Sequence, residues 1–135
     1  MWRMRDFSSS DGLTLAYRDY PAPAGASALP VLCLPGLTRN ARDFEALALE
    51  LARTRRVLSP DLRGRGASAH DPNPANYHPG TYVRDVLALL AAASTPRVLA
   101  IGTSLGGLLT NSFEATRFIG LTLSTKTCMK TASSY

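Results

Sequence analysis

Val98-Leu99-Ala100-Ile101-Gly102-Thr103-Ser104-Leu105-Gly106-Gly107 is the stretch whose reading decides the fold. Its first four residues form a short continuous apolar run of the kind buried on both faces of a parallel sheet, and the glycines close that strand just before a helix begins. Turning a strand straight into a helix bends the backbone so sharply that the residues two before and two after the apex nearly touch. Only small residues fit there, and Gly102 and Gly106 supply them. The apex side chain, Ser104, is thereby pushed out at the carboxyl edge of the sheet, where open α/β sheets bind ligands. The helix beside it aims its positive end and free N–H groups at the same point, which makes the Leu105 N–H the first donor to a developing oxyanion. The bland explanation of such a pattern is a glycine-rich turn with a serine helix cap. The flanking strand and Gly107 favour the functional one.

Working outward, Pro96 restarts the chain into that strand, which the pattern places over 97–102 with its helix over 104–115. Val31-Leu32-Cys33-Leu34 is a second buried strand, and Val57-Leu58 marks a third over 56–59. Between them Asn40 can cap a helix over 41–53, with Phe44, Leu47, Ala48 and Leu51 at helical spacing and Asp43 and Glu45 in the first turn. Asp61 to Pro74 reads as a loop, after which Thr81 caps a helix over 80–93 carrying Tyr82, Val86, Leu89 and Ala93 on one stripe. Near the start, Met1 to Phe7 and Leu13 to Tyr17 form a β-hairpin around Ser10-Asp11-Gly12. Strand and helix alternating at short spacing imply right-handed crossovers. The fold class is therefore α/β, a mostly parallel twisted sheet with flanking helices.

Four segments in this chain order resemble the α/β-hydrolase family: the turn at Ser10-Asp11-Gly12-Leu13, Leu32-Cys33-Leu34-Pro35-Gly36-Leu37, Asp61-Leu62-Arg63-Gly64-Arg65-Gly66-Ala67-Ser68, and the elbow at Ser104. The resemblance covers about residues 5 to 110, with Leu123 as its furthest reach. It implies the N-terminal portion of an α/β-hydrolase fold, a Ser104 nucleophile, and the Leu37 backbone N–H as a second oxyanion donor beside Leu105. Pro35 stands where the family often has His. An aspartate at 104 would have implied dehalogenase or epoxide hydrolase chemistry. Serine implies acyl transfer on esters, lactones or diketones.

The family's chain order is Ser, then Asp or Glu, then His. After Ser104 this sequence has no histidine, and Glu114 is its only carboxylate, so the triad does not close in its usual form. His70 and His78 lie upstream and read as ordinary loop histidines. The expectation is a truncated serine hydrolase; the alternative is a catalytically silent remnant or binding module that keeps the fold. The composition also breaks: residues 111–135 hold nine Ser or Thr and both lysines of the chain. Phe118 to Leu123 is a credible sixth strand, yet the break favours a frame change or false stop somewhere after Leu109. The chain accordingly divides into residues 1–110 and an atypical tail, 111–135.

At 135 residues, 45% apolar and 19% charged, the chain is a globular domain or a piece of one. No apolar run approaches the roughly 20 residues of a membrane span, and Asp6 with a serine run follows Arg3 and Arg5 where a signal peptide would be apolar. Two cysteines, Cys33 and Cys128, make neither a disulfide framework nor a metal set, so the expected setting is cytoplasmic and metal-free. Scattered arginines account for the net charge of +5 without a nucleic-acid stripe. Gly64-Arg65-Gly66 lacks a third glycine and an opening helix, and no Walker lysine appears, so no cofactor is expected. The expected partner is a small ester-like substrate, with neither nucleic acid nor membrane, and with self-association through an exposed sheet edge.

Overall fold

A computed structural model describes residues 1–36, 38–112, 118–124 and 128–132, with side chains as far as Leu109. Strands β1 (Arg3–Ser8) and β2 (Thr14–Tyr20) form the expected antiparallel hairpin, and β2 continues antiparallel onto β4 (Val57–Pro60). From β4 the sheet is parallel through β3 (Val31–Leu34), β5 (Val98–Thr103) and β6 (Phe118–Ser124), and β7 (Cys128–Ala132) closes it antiparallel. The strand order is β1-β2-β4-β3-β5-β6-β7.

Alternation along the central strands divides the core between two faces. Leu32, Leu34, Leu58 and Ala100 point to the face covered by helix α2 (Pro79–Ala92) and helix α3 (Leu105–Ser112), packing with Val86, Leu89, Leu105 and Leu109. Val31, Cys33, Val57 and Ile101 point the other way, against Phe44 and Ala48, the latter on helix α1 (Glu45–Leu51). Both faces of β3 and β4 are buried, which is why they read as unbroken apolar runs.

Two helix starts differ from the sequence reading. Asn40 does cap, accepting from the Arg42 N–H at 3.0 Å, but residues Ala41–Phe44 form a 3-10 turn and the α-helix begins at Glu45. The Ala41 N–H is drawn to Asp61 at 2.8 Å and its carbonyl accepts from Ser59 Oγ at 3.3 Å, which tightens that turn. Helix α2 starts at Pro79 with His78 in the cap position, because proline suits the first helical residue. Thr81, read as the cap, is a buried residue of the first turn with its hydroxyl 3.0 Å from His78 Nε2. The last three residues of the expected 104–115 helix lie outside the described residues.

Candidate active site

Parallel pairing of Leu34 with Gly102 sets the end of β3 beside the end of β5. The backbones are then too close for side chains. A Cβ on Gly102 would lie 2.3 Å from the carbonyl of Gly106, and one on Gly106 would lie 2.0 Å from the Leu34 oxygen. Neither neighbour can yield, since both are backbone. Between these glycines Ser104 takes φ +52°, a left-handed conformation that non-glycine residues adopt at a cost of roughly 1–3 kcal/mol. Its side chain is exposed and its carbonyl accepts from the Leu108 N–H at 3.1 Å, so it stands at the head of α3. The amides of the first turn have no acceptor within the helix, and the Leu105 N–H is one of them.

Gly36 brings the β3 loop onto the same point. A Cβ there would sit 3.6 Å from Ser104 Cβ and 3.6 Å from Arg39 Cγ. The turn from Gly36 to Arg39 is closed by the Arg39 N–H donating to the Gly36 carbonyl at 3.1 Å. Arg39 in turn makes a two-point ion pair with Asp43, at 2.5 and 2.9 Å, which raises the pKa of its guanidinium. Leu37, named from the sequence as the second oxyanion donor, lies outside the described residues, as does Glu114.

The loop after β4 is locked by two polar side chains whose importance the sequence did not reveal. Asp61 accepts from Ala41 N–H at 2.8 Å with one oxygen and from Ala67 N–H at 2.9 Å with the other, tying the loop after β3 to the loop after β4. Arg63, 1% exposed, pairs with Asp85 of α2, Asp11 of the hairpin turn and Asp71 of its own loop. These contacts hold Arg63 far above the ordinary arginine range, through Asp85 first and Asp11 second. The Asp11 carboxyl falls well below the usual carboxylate range, chiefly because Arg63 donates to it. Only the glycines of this loop were visible as local signals.

Both histidines are exposed: His70 in that loop, and His78 at the head of α2 with Thr81 as its ring partner. Among the described residues no hydrogen bond joins either to Ser104. The structure thus brings together Gly102, Ser104, Leu105 and Gly106, adds Gly36 and Arg39, and leaves the histidines outside the hydrogen-bonded set.

Residues 31–130 match the sequence model of the alpha/beta hydrolase family. The chain belongs to that family. As an α/β hydrolase it is 48% identical to an alpha/beta hydrolase from Novosphingobium aromaticivorans, whose crystal structure superposes with a TM-score of 0.80 over 89% of this chain and 44% of that one. It is 38% identical over 95 residues to the 3-hydroxybutyrate-oligomer hydrolase of Cupriavidus necator, a match covering 70% of this chain and 32% of the relative. The bottromycin epimerase BotH, solved in complex with bottromycin A2, shares the fold at 27% identity and a TM-score of 0.77, over 88% of this chain and 47% of that one. The chain therefore spans less than half the length of each. No helix among the described residues is long and apolar enough to cross a membrane.

Proposed function

We propose that this chain is the nucleophile-bearing N-terminal portion of a serine hydrolase that cleaves ester, lactone or related acyl bonds in small molecules. One observation carries the reading: an exposed Ser104 held in a left-handed conformation at the apex of a strand-to-helix turn whose flanking glycines have no room for a Cβ. Attack of the hydroxyl on an acyl carbonyl would give an acyl-enzyme and release the alcohol, and water would then free the acid. The amides of Leu105 and Leu37 would receive the oxyanion. The hydrolase relatives, one of them named for an ester oligomer, support carboxylic esters as the first compounds to try.

The same proposal puts the acid and the histidine further along the whole protein, after Ser104 in chain order, since the family relatives are more than twice this length. With no base in hand, Ser104 is a neutral alcohol and a weak nucleophile. Losing the triad leaves on the order of 10³–10⁴ over water in serine hydrolases of another fold. The tail from residue 111 is, on this proposal, a frame change, which reading the encoding DNA in all three frames would test. A cytoplasmic setting accords with the buried free thiol of Cys33, which desolvation pushes up to about 12. Self-association through an open sheet edge is the expected state in solution.

The test is turnover of short activated esters and labelling by a serine-directed phosphonate, for the 135-residue chain, its Ser104→Ala variant and a version with the downstream frame restored. The reading expects near-silence from the chain and Ser104-dependent activity from the restored version. An inactive restored version would sink it in favour of the second reading, a silent binding module. One fold neighbour is named as an epimerase rather than a hydrolase, so the fold by itself is not confined to hydrolysis.

A further inference from the structure

The charged groups around the elbow are not balanced in what they have left to offer. Among the described residues the carboxylates on this edge are engaged: Asp61 with the Ala41 and Ala67 amides, Glu45 with Arg18 at 3.1 Å, and Asp43 with Arg39. The cations are not. Arg42 is exposed, with its guanidinium unpaired among the described residues. Arg39 gives Asp43 only its Nε–H and one Nη2–H, so three of its five N–H donors stay free, and 65% of the side chain is exposed.

Its placement is set by the backbone. The turn from Gly36 folds Arg39 back so that its Cγ and the Ser104 Cβ both lie against Gly36, 3.6 Å from the same point in space. The side chain thus leaves the backbone beside Ser104, and Asp43 holds its planar fork by two bonds. A held fork with free donors is suited to a carboxylate, which accepts two parallel N–H bonds.

We propose that Arg39 selects substrates carrying a free carboxylate, so that the site takes anionic half-esters and similar acyl acids in preference to neutral esters. This rests on the reading of Ser104 as the nucleophile, and it names the class of molecule that Ser104 meets. Asp43 acts through Arg39 as a positioning residue. Part of the Arg39 charge is already answered by Asp43, so the preference comes from geometry and free donors and is modest.

The test separates recognition from turnover by measuring binding. Monomethyl glutarate and its neutral counterpart dimethyl glutarate are titrated by calorimetry or ligand-observed NMR against the 135-residue chain at low salt. The half-ester should bind about fivefold more tightly, the range of a single partly exposed ion pair, and the ratio should shrink as salt is added. Arg39→Gln should bring the ratio to one, and Arg39→Lys should recover part of it, restoring charge without the fork. Arg53→Gln, which removes an exposed arginine paired with Glu50 at 3.2 Å, should leave it unchanged. The titration reads binding and needs no turnover, so failure of recognition and failure of hydrolysis are read by different measurements. Equal binding of the two esters, binding of neither, or a ratio that survives Arg39→Gln would overturn the proposal.

Discussion

Two glycine pairs flank the candidate site, and they are required for different reasons. Gly102 and Gly106 have ordinary φ angles; they are fixed by backbone pressed against backbone, and the strained residue is the serine between them. Gly64 and Gly66 have φ of +76° and +51° and face side chains, Tyr77 and Asp61. The elbow is thus a close approach of main chains that displays one hydroxyl, whereas the loop after β4 is a turn wrapped around buried charge. Crowding displays a side chain in the first. Charge pairing serves architecture in the second, because Asp61 and Arg63 tie together the loop after β3, the loop after β4 and the hairpin turn.

The comparison breaks most sharply if the buried charge proves dispensable. Arg63→Ala removes the partner of Asp85 and leaves that 2% exposed carboxylate uncompensated, so a loss of about 3–5 kcal/mol in urea unfolding is expected. A loss below 1 kcal/mol would mean that the loop is held by its turns alone.

Next in size is Gly106→Ala, whose added Cβ would meet the Leu34 oxygen at 2.0 Å. A cost of roughly 3 kcal/mol, at the upper end for overpacking, is expected from the same measurement, with faster proteolysis near β5. Gly12→Ala sharpens the contrast: φ is +87° but nothing lies within 4 Å, so only backbone strain is added, about 1 kcal/mol.

The smallest effect is one of pH. Asp11 is held below the usual carboxylate range by Arg63, and Asp71 by the Asn73 backbone N–H first and the Asn76 amide next. Their folded pKa values are depressed, so the stability they contribute is present above the unfolded value of about 4 and is lost as pH falls below it. Thermal melts should therefore be flat from neutral pH down to about 5 and decline below about 4. Asp11→Asn should soften that decline, and an unaltered acid limb would detach Asp11 from the network.

The same contrast explains what the sequence disclosed. Gly102, Ser104 and Gly106 lie within five residues and obey a local steric rule, so their geometry was legible, as were the apolar strands beside them. Asp11, Asp71 and Asp85 meet Arg63 from sequence distances of 52, 8 and 22 residues with no periodic pattern to announce it. Thr81 misled because a hydroxyl before an apolar stripe looks like a cap, while Pro79 had already set the helix. β7 was not anticipated at all. Cys128–Ala132 has no strong alternation, and its placement comes from pairing with β6.

Strand order also carries a consequence for how the protein is made. β3 lies between β4 and β5, so as the chain emerges from the ribosome β3 can acquire β4 as its neighbour early but must wait for Val98–Thr103 to cover its other side. Until then Val31–Leu34, among the most apolar stretches of the molecule, presents an open row of amides and carbonyls to other chains. The meeting of Ser104 with the Gly36 turn therefore waits for one event, the insertion of β5. Slowing synthesis just before residue 98 would lengthen exposure of that seam without altering a single contact in the finished fold.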